Sequence, residues 1–91
     1  MEHRVPIDGI LDLHAFRPEE VGEAVRAYLD ACAEEGVLSV RVIHGKGIGA
    51  LRRTVEAELR RHRLVESFHL ADETAGGFGA TLVQLRRGGD G

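Results

Sequence analysis

Among the side chains of this 91-residue chain that could move protons, hold cations or grip phosphate, four fall in two short clusters. Asp12 stands two residues before His14, and His44 and Lys46 belong to the run His44-Gly45-Lys46-Gly47. Imidazole titrates near neutral pH and is a common metal ligand. The two histidines can therefore serve as general base and general acid, or hold a divalent cation together with Asp12. Gly45, Gly47 and Gly49 would let backbone approach a phosphate closely. A helix opening just after them would present free N–H groups and the positive end of its dipole to an anion. Lys46 is the only lysine among twelve basic residues, a compact point charge placed between glycines. Each feature also has a plain explanation. Glycine-rich strand-to-helix turns are common for geometric reasons, Asp12 can cap a turn, and most histidines are ordinary hydrogen-bonding residues. The spacing matches neither the dinucleotide fingerprint nor the P-loop, so no nucleotide cofactor is expected. His3, His62 and His69 have no positional argument, and no Ser-His-Asp or Cys-His arrangement is readable.

Secondary structure must bring the two clusters together. Ile10-Leu11-Asp12-Leu13-His14 reads as a brief strand with Asp12 and His14 on one face, ended by the turn-like Ala15-Phe16-Arg17-Pro18. Pro18 suits a first helical position, and Val21, Ala24, Val25, Tyr28, Leu29 and Cys32 follow helical spacing up to a closing Gly36. Val37 to Ile43 is dense in apolar residues, as for a strand covered on both faces, and runs directly into His44. A second helix follows, with Ile48, Leu51, Val55 and Leu59 on one side and Arg52, Arg53, Glu56, Arg60 and Arg63 on the other. Leu64 to Ala71 and Ala80 to Arg86 read as two further strands around a loop with three glycines. The order β-α-β-α-β-β predicts an α/β fold with a four-stranded mixed sheet, as a two-layer to three-layer sandwich. Ligands of such sheets bind outside the carboxyl ends of parallel strands. If the first two strands are parallel, both clusters share one rim.

Composition fits a single domain: 43% hydrophobic and 30% charged, with no apolar run near the ~20 residues of a membrane helix. The expected organisation is a polar lead over 1–9, a domain over 10–87 and a frayed tail over 88–91. A charged, non-apolar start gives no signal peptide, so a cytoplasmic location is the expectation. The lone Cys32 lies in the helical apolar pattern and reads as a buried structural thiol. The net charge of −3 argues against a generally basic nucleic-acid binder. It is unevenly spread: residues 1–40 hold nine acids and three arginines, whereas 41–63 hold seven basic residues against Glu56 and Glu58. A basic centre in an acidic chain suits local phosphate contact, and a solvated helix face gives the same count.

Three blocks, Leu11-Asp12-Leu13-His14, then Ile43 to Arg52, then Gly79-Ala80-Thr81-Leu82-Val83, closely resemble in order and spacing the signature blocks of the small MutS-related, or Smr, domain. The resemblance spans about Ile10 to Arg86. It implies a fold similar to the C-terminal domain of bacterial translation initiation factor 3 and a nucleic-acid partner, DNA or else RNA, which many members nick or cut, often with Mg²⁺ or Mn²⁺. It places Asp12, His14 and His44 in catalysis, with Asp12 and His14 as metal candidates. Gly45, Lys46, Gly47, Gly49, Arg52, Arg53, Arg60, Arg61 and Thr81 are placed against nucleic acid. One departure is Ala15, where the family usually has a glycine. The expected function is a weakly sequence-selective nicking endonuclease without a tightly bound cofactor. The alternatives are a non-catalytic module recognising branched or single-stranded nucleic acid, and an anion-binding domain with a protein partner.

Overall fold

The computed structural model describes residues 7–45, 49–71 and 79–87. Lys46, Gly47 and Ile48, most of the glycine-bearing loop, the tail 88–91 and residues 1–6 lie outside them. The described elements are β1 (Ile10–Asp12), 3₁₀ turns Leu13–Ala15 and Pro18–Glu20, α1 (Val21–Glu35), β2 (Ser39–Ile43), α2 (Ala50–Arg61), β3 (Val65–Leu70) and β4 (Ala80–Leu85).

Periodicity explains α1. Val21, Val25, Tyr28, Leu29 and Cys32 recur every three or four residues and are all buried. Gly36 ends the helix at φ 79°, where its N–H reaches Ala33 O and the N–H of Val37 reaches Cys32 O at 2.8 Å. That double closure requires a left-handed residue, which glycine supplies without a Cβ penalty. Cys32 is fully buried and burial pushes its thiol pKa up, as expected of a structural cysteine.

The sheet order is β1-β2-β4-β3, with β1 and β2 parallel and the other two pairs antiparallel. A register shift between Val65 and Ser67 bulges the edge strand β3, which blunts its free edge. Leu11, Val40, Val42, Val83 and Leu85 join residues of both helices in one core cluster, so both helices cover the same sheet face. The sandwich therefore has two layers. β2 is covered on one face only: Val40 and Val42 are buried, Ser39 is exposed and Arg41 half-buried. The expectation of two-sided cover came from Val37 and Leu38, which precede the strand and pack against the core from the connection.

Two boundaries also differ from the sequence reading. β1 stops at Asp12, whose carboxylate accepts the His14 N–H at 2.9 Å and turns the chain into the 3₁₀ turn. Asp12 and His14 thus meet through a turn, not through strand alternation. β3 covers Val65–Leu70, one residue shorter at each end than the expected 64–71, and within the expected lead Ile7 packs on the core and the buried Gly9 bonds to α1 and β2.

Candidate nucleic-acid site at the strand ends

The parallel register pairs Asp12 with Ile43, and the antiparallel one pairs Ile43 with Ala80. Three chain segments consequently end on one rim: Asp12-Leu13-His14, His44-Gly45 and Gly79-Ala80. Gly79 stitches the last two together, since its carbonyl accepts from the N–H of His44 at 2.8 Å and of Gly45 at 2.9 Å. A Cβ on Gly79 would lie 3.3 Å from Gly45 backbone atoms, so a side chain there would press the segments apart.

On the solvent side stands the Asp12–His14 pair. Asp12 Oδ1 accepts both the His14 backbone N–H and, at 2.6 Å, the ring Nδ1–H. These bonds, the backbone one first, hold the Asp12 carboxyl below its ordinary value of 3.8. An ionised carboxylate only accepts, so Nδ1 carries the proton, and the neutral ring keeps its lone pair on Nε2. That nitrogen faces Gly45: a Cβ built there, at φ 86°, would lie 3.5 Å from it. The His14 side chain is 68% exposed, so Nε2 is open to a substrate. Ala15 takes no positive φ in the 3₁₀ turn, and the departure from glycine costs the backbone nothing there.

His44 lies underneath and is oriented differently. It is 6% exposed, with Nε2 2.9 Å from Thr81 Oγ1 and Nδ1 3.1 Å from Gly45 O. Both ring nitrogens have partners, so His44 offers no open nitrogen for proton transfer to a leaving oxygen. Thr81 is completely buried, and its hydroxyl meets His44 instead of facing nucleic acid. The Gly45 N–H, expected among the phosphate donors, is occupied by Gly79.

The basic helix face divides by position. α2 runs away from the rim at about 1.5 Å per residue, which puts Arg60 and Arg61 roughly 12 Å along the axis from Arg52 and Arg53. Arg60 pairs with Glu56 at 3.6 Å and Arg61 with Glu58 at 3.0 Å. Glu58 also bonds Arg26 of α1, so this far cluster ties the helices together. Arg52 has only a 3.8 Å pairing to Glu56, and Arg53 has no ion pair among the described residues. Gly49 precedes α2 at φ 90°. No side chain caps the first turn and no acid stands in it, so its N–H groups reinforce the positive charge of Arg52 and Arg53. Lys46 and Gly47 lie outside the described residues.

Asp12 and His14 bond to each other, and no group of three His, Cys, Asp or Glu side chains able to hold a metal occurs among the described residues. Two donors turned toward one another do not by themselves make a resident site for a divalent cation. Sequence reasoning missed the part played by Gly79, although it stands in the third signature block, because no residue type reveals which amides a carbonyl will accept.

No helix among the described residues is long and apolar enough to cross a membrane. The family model "Smr domain" matches residues 11–86. Endonuclease MutS2 of Leuconostoc mesenteroides is 42% identical over 83 residues, which are 91% of this chain and 10% of that protein. Endonuclease MutS2 of Symbiobacterium thermophilum is 45% identical over 76 residues, 84% of this chain and again 10% of the relative. The chain thus spans about a tenth of the length of these curated relatives. Among solved structures, the Smr domain of Thermus thermophilus MutS2 superposes with a TM-score of 0.78 at 39% identity, covering 85% of this chain and 96% of that one. YdaL, a stand-alone small MutS-related protein from Escherichia coli, gives 0.75 at 29% identity, covering 89% and 66%. With the family's model matched over most of its length and the fold shared with two of its structures, the chain belongs to the Smr domain family.

Proposed function

We propose that this chain is a nucleic-acid nicking domain, a weakly sequence-selective endonuclease acting on DNA or on RNA. One observation carries the reading: an exposed imidazole, His14, whose ring is oriented by the Asp12 carboxylate at 2.6 Å so that Nε2 carries the lone pair, on a rim beside Arg53, which has no ion pair among the described residues. The relatives named Endonuclease MutS2 support it. In the proposed reaction, His14 Nε2 takes a proton from a water whose oxygen attacks phosphorus. The P–O bond to the leaving oxygen breaks, and that oxygen takes a proton from solvent. Arg52, Arg53 and the first-turn N–H groups of α2 hold the phosphate and stabilise its added negative charge, and Lys46 and Gly47, outside the described residues, are kept as further phosphate-binding candidates by residue type. Arg60 and Arg61 are left to the helix pair.

The test uses supercoiled plasmid and a structured RNA incubated with purified protein, with and without Mg²⁺ or Mn²⁺. Nicked circles or cut RNA are expected. Salt-sensitive binding with both substrates intact in every condition overturns the nuclease reading and favours a recognition module.

The division of the basic face gives a separate expectation. Replacing Arg52 and Arg53 together by alanine should weaken binding at low salt about 10- to 100-fold and lower the slope of log K against log salt by about one per lost phosphate contact. The same change at Arg60 and Arg61 should alter binding by less than about threefold, since surface pairs of this kind contribute little and stand far from the rim. Fluorescence anisotropy with a labelled duplex over a salt series reads both, and equal losses would return Arg60 and Arg61 to the binding surface.

A further inference from the structure

Beneath the rim lies a buried hydrogen-bond chain that the proposed reaction does not use. Thr81 on β4 has no exposed surface, and its hydroxyl stands 2.9 Å from His44 Nε2. At the other side of the ring, His44 Nδ1 stands 3.1 Å from Gly45 O. A carbonyl oxygen can only accept, so Nδ1 must carry the proton. A neutral ring that donates through Nδ1 accepts through Nε2, and the Thr81 hydroxyl is therefore the donor there. The chain has one direction: Thr81 O–H to His44 Nε2, then His44 Nδ1–H to Gly45 O.

Its end point is what gives it meaning. Gly45 already donates its N–H to Gly79 O at 2.9 Å. With its carbonyl held by His44 as well, both polar backbone groups of Gly45 are fixed and the residue is pinned at φ 86°. At that place its Cα faces His14 Nε2, the nitrogen a Cβ would approach to 3.5 Å. Gly45 thereby forms the wall beside His14 Nε2, and its place decides how a phosphate and its attacking water can approach that nitrogen.

We infer that Thr81 is a positioning residue: its hydroxyl, donating to Nε2, anchors the buried His44 ring whose Nδ1–H holds the Gly45 carbonyl, and so sets the rim against which His14 works. The inference rests on the reading of His14 Nε2 as the proton acceptor. Without the hydroxyl, Gly45 O still selects the Nδ1–H tautomer, but the buried Nε2 has no donor and the ring is held from one side only. As the ring turns toward a new partner for Nε2, its Nδ1–H is drawn off the Gly45 oxygen and Gly45 leaves its place.

Thr81→Val removes the hydroxyl at nearly constant shape, and Thr81→Ser keeps it. Two measurements separate the role from simple support of the fold. Long-range ¹⁵N–¹H correlation spectra of the histidine rings report which His44 nitrogen carries hydrogen. The expected result in Thr81→Val is a His44 Nε2 resonance moved to that of an acceptor without a donor, together with a shifted Gly45 amide resonance, and near-wild-type positions of both in Thr81→Ser. Nicking kinetics on plasmid should show kcat lowered about 10- to 100-fold in Thr81→Val with KM within about twofold, as a misplaced site does, and near-wild-type values in Thr81→Ser. If the valine variant fails to fold, Thr81→Cys, a weaker donor, replaces it in both measurements and should fall between the other two. Unchanged His44 Nε2 and Gly45 resonances in Thr81→Val overturn the anchoring, and shifted resonances with unchanged kcat overturn its positioning role. If wild type cuts nothing, the nuclease reading fails, and the spectra still decide whether the hydroxyl sets the ring.

Discussion

His14→Ala is expected to lower plasmid nicking by about 10²- to 10⁴-fold, the range over which a positioned general base contributes, while the melting temperature stays within about two degrees of wild type. The second half follows from exposure. The side chain is 68% exposed, its only bonded partner among the described residues is Asp12, and removing such a group leaves no cavity and no buried orphan. Affinity for uncut nucleic acid should change little, because the phosphate is held by arginines and helix N–H groups. Loss of cutting with binding and folding intact would identify His14 with the chemistry. Normal cutting would remove it.

Asp12→Asn sharpens the same point. An amide can still accept from Nδ1–H, but it can also rotate and donate to Nδ1, which leaves the proton on Nε2, the wrong nitrogen for a base. A nicking loss approaching that of His14→Ala is expected, although the variant keeps shape and size. The sign of the pH dependence follows from the lowered Asp12 value. Bonding to the His14 N–H and ring pulls the carboxyl below 3.8, so its contribution is fully present above that value and fades only as pH falls through the lowered one. The His14 amide resonance should therefore titrate with a midpoint below 3.8, and Asp12 should contribute no change in nicking at neutral pH.

The two helices were legible because each needs only local information: apolar residues every three or four positions, and for α1 a closing Gly36. The shared rim was legible for a topological reason, since parallel strands connected by a helix put their carboxyl ends side by side. What could not be read depends on which distant group each polar atom finds. His44 and Thr81 are far apart in sequence, and only the β2–β4 register brings Nε2 to the hydroxyl and buries both. Arg60 and Arg61 look identical to Arg52 and Arg53 in a helical projection. Glu56 stands one turn from both Arg52 and Arg60; the pairs differ in that Arg61 meets Glu58, which also meets Arg26 of α1, whereas Arg53 has no ion pair among the described residues. Val37 and Leu38 look like strand and are connection, since burial makes a residue apolar whether or not it pairs.

The largest expected loss of stability from adding a single methyl group is at Gly9, within the expected lead. Gly9 holds φ 90°, and an added Cβ would stand 2.9 Å from the backbone oxygen of Ser39 and 3.3 Å from Val37 Cγ1. The backbone cannot simply yield. Gly9 O accepts the Arg41 N–H at 2.7 Å, and Gly9 N–H donates to the Tyr28 hydroxyl at 3.0 Å, so a shift large enough to relieve the clash weakens both bonds. Left-handed strain of about 1–2 kcal/mol and the weakening of two bonds at about 1 kcal/mol each give roughly 3–4 kcal/mol for Gly9→Ala, or a melting temperature lower by about 12–30 °C in a domain of this size. Gly36→Ala is the control. It has a similar φ of 79° with nothing within 4 Å of the new Cβ, so strain alone acts there and about 1 kcal/mol is expected. Equal losses in thermal denaturation would mean that the crossing at Ser39 contributes nothing. A loss at Gly9 twice that at Gly36 or more would show that this crossing holds β1, a strand of only three residues, in the register that delivers Asp12 and His14 to the rim.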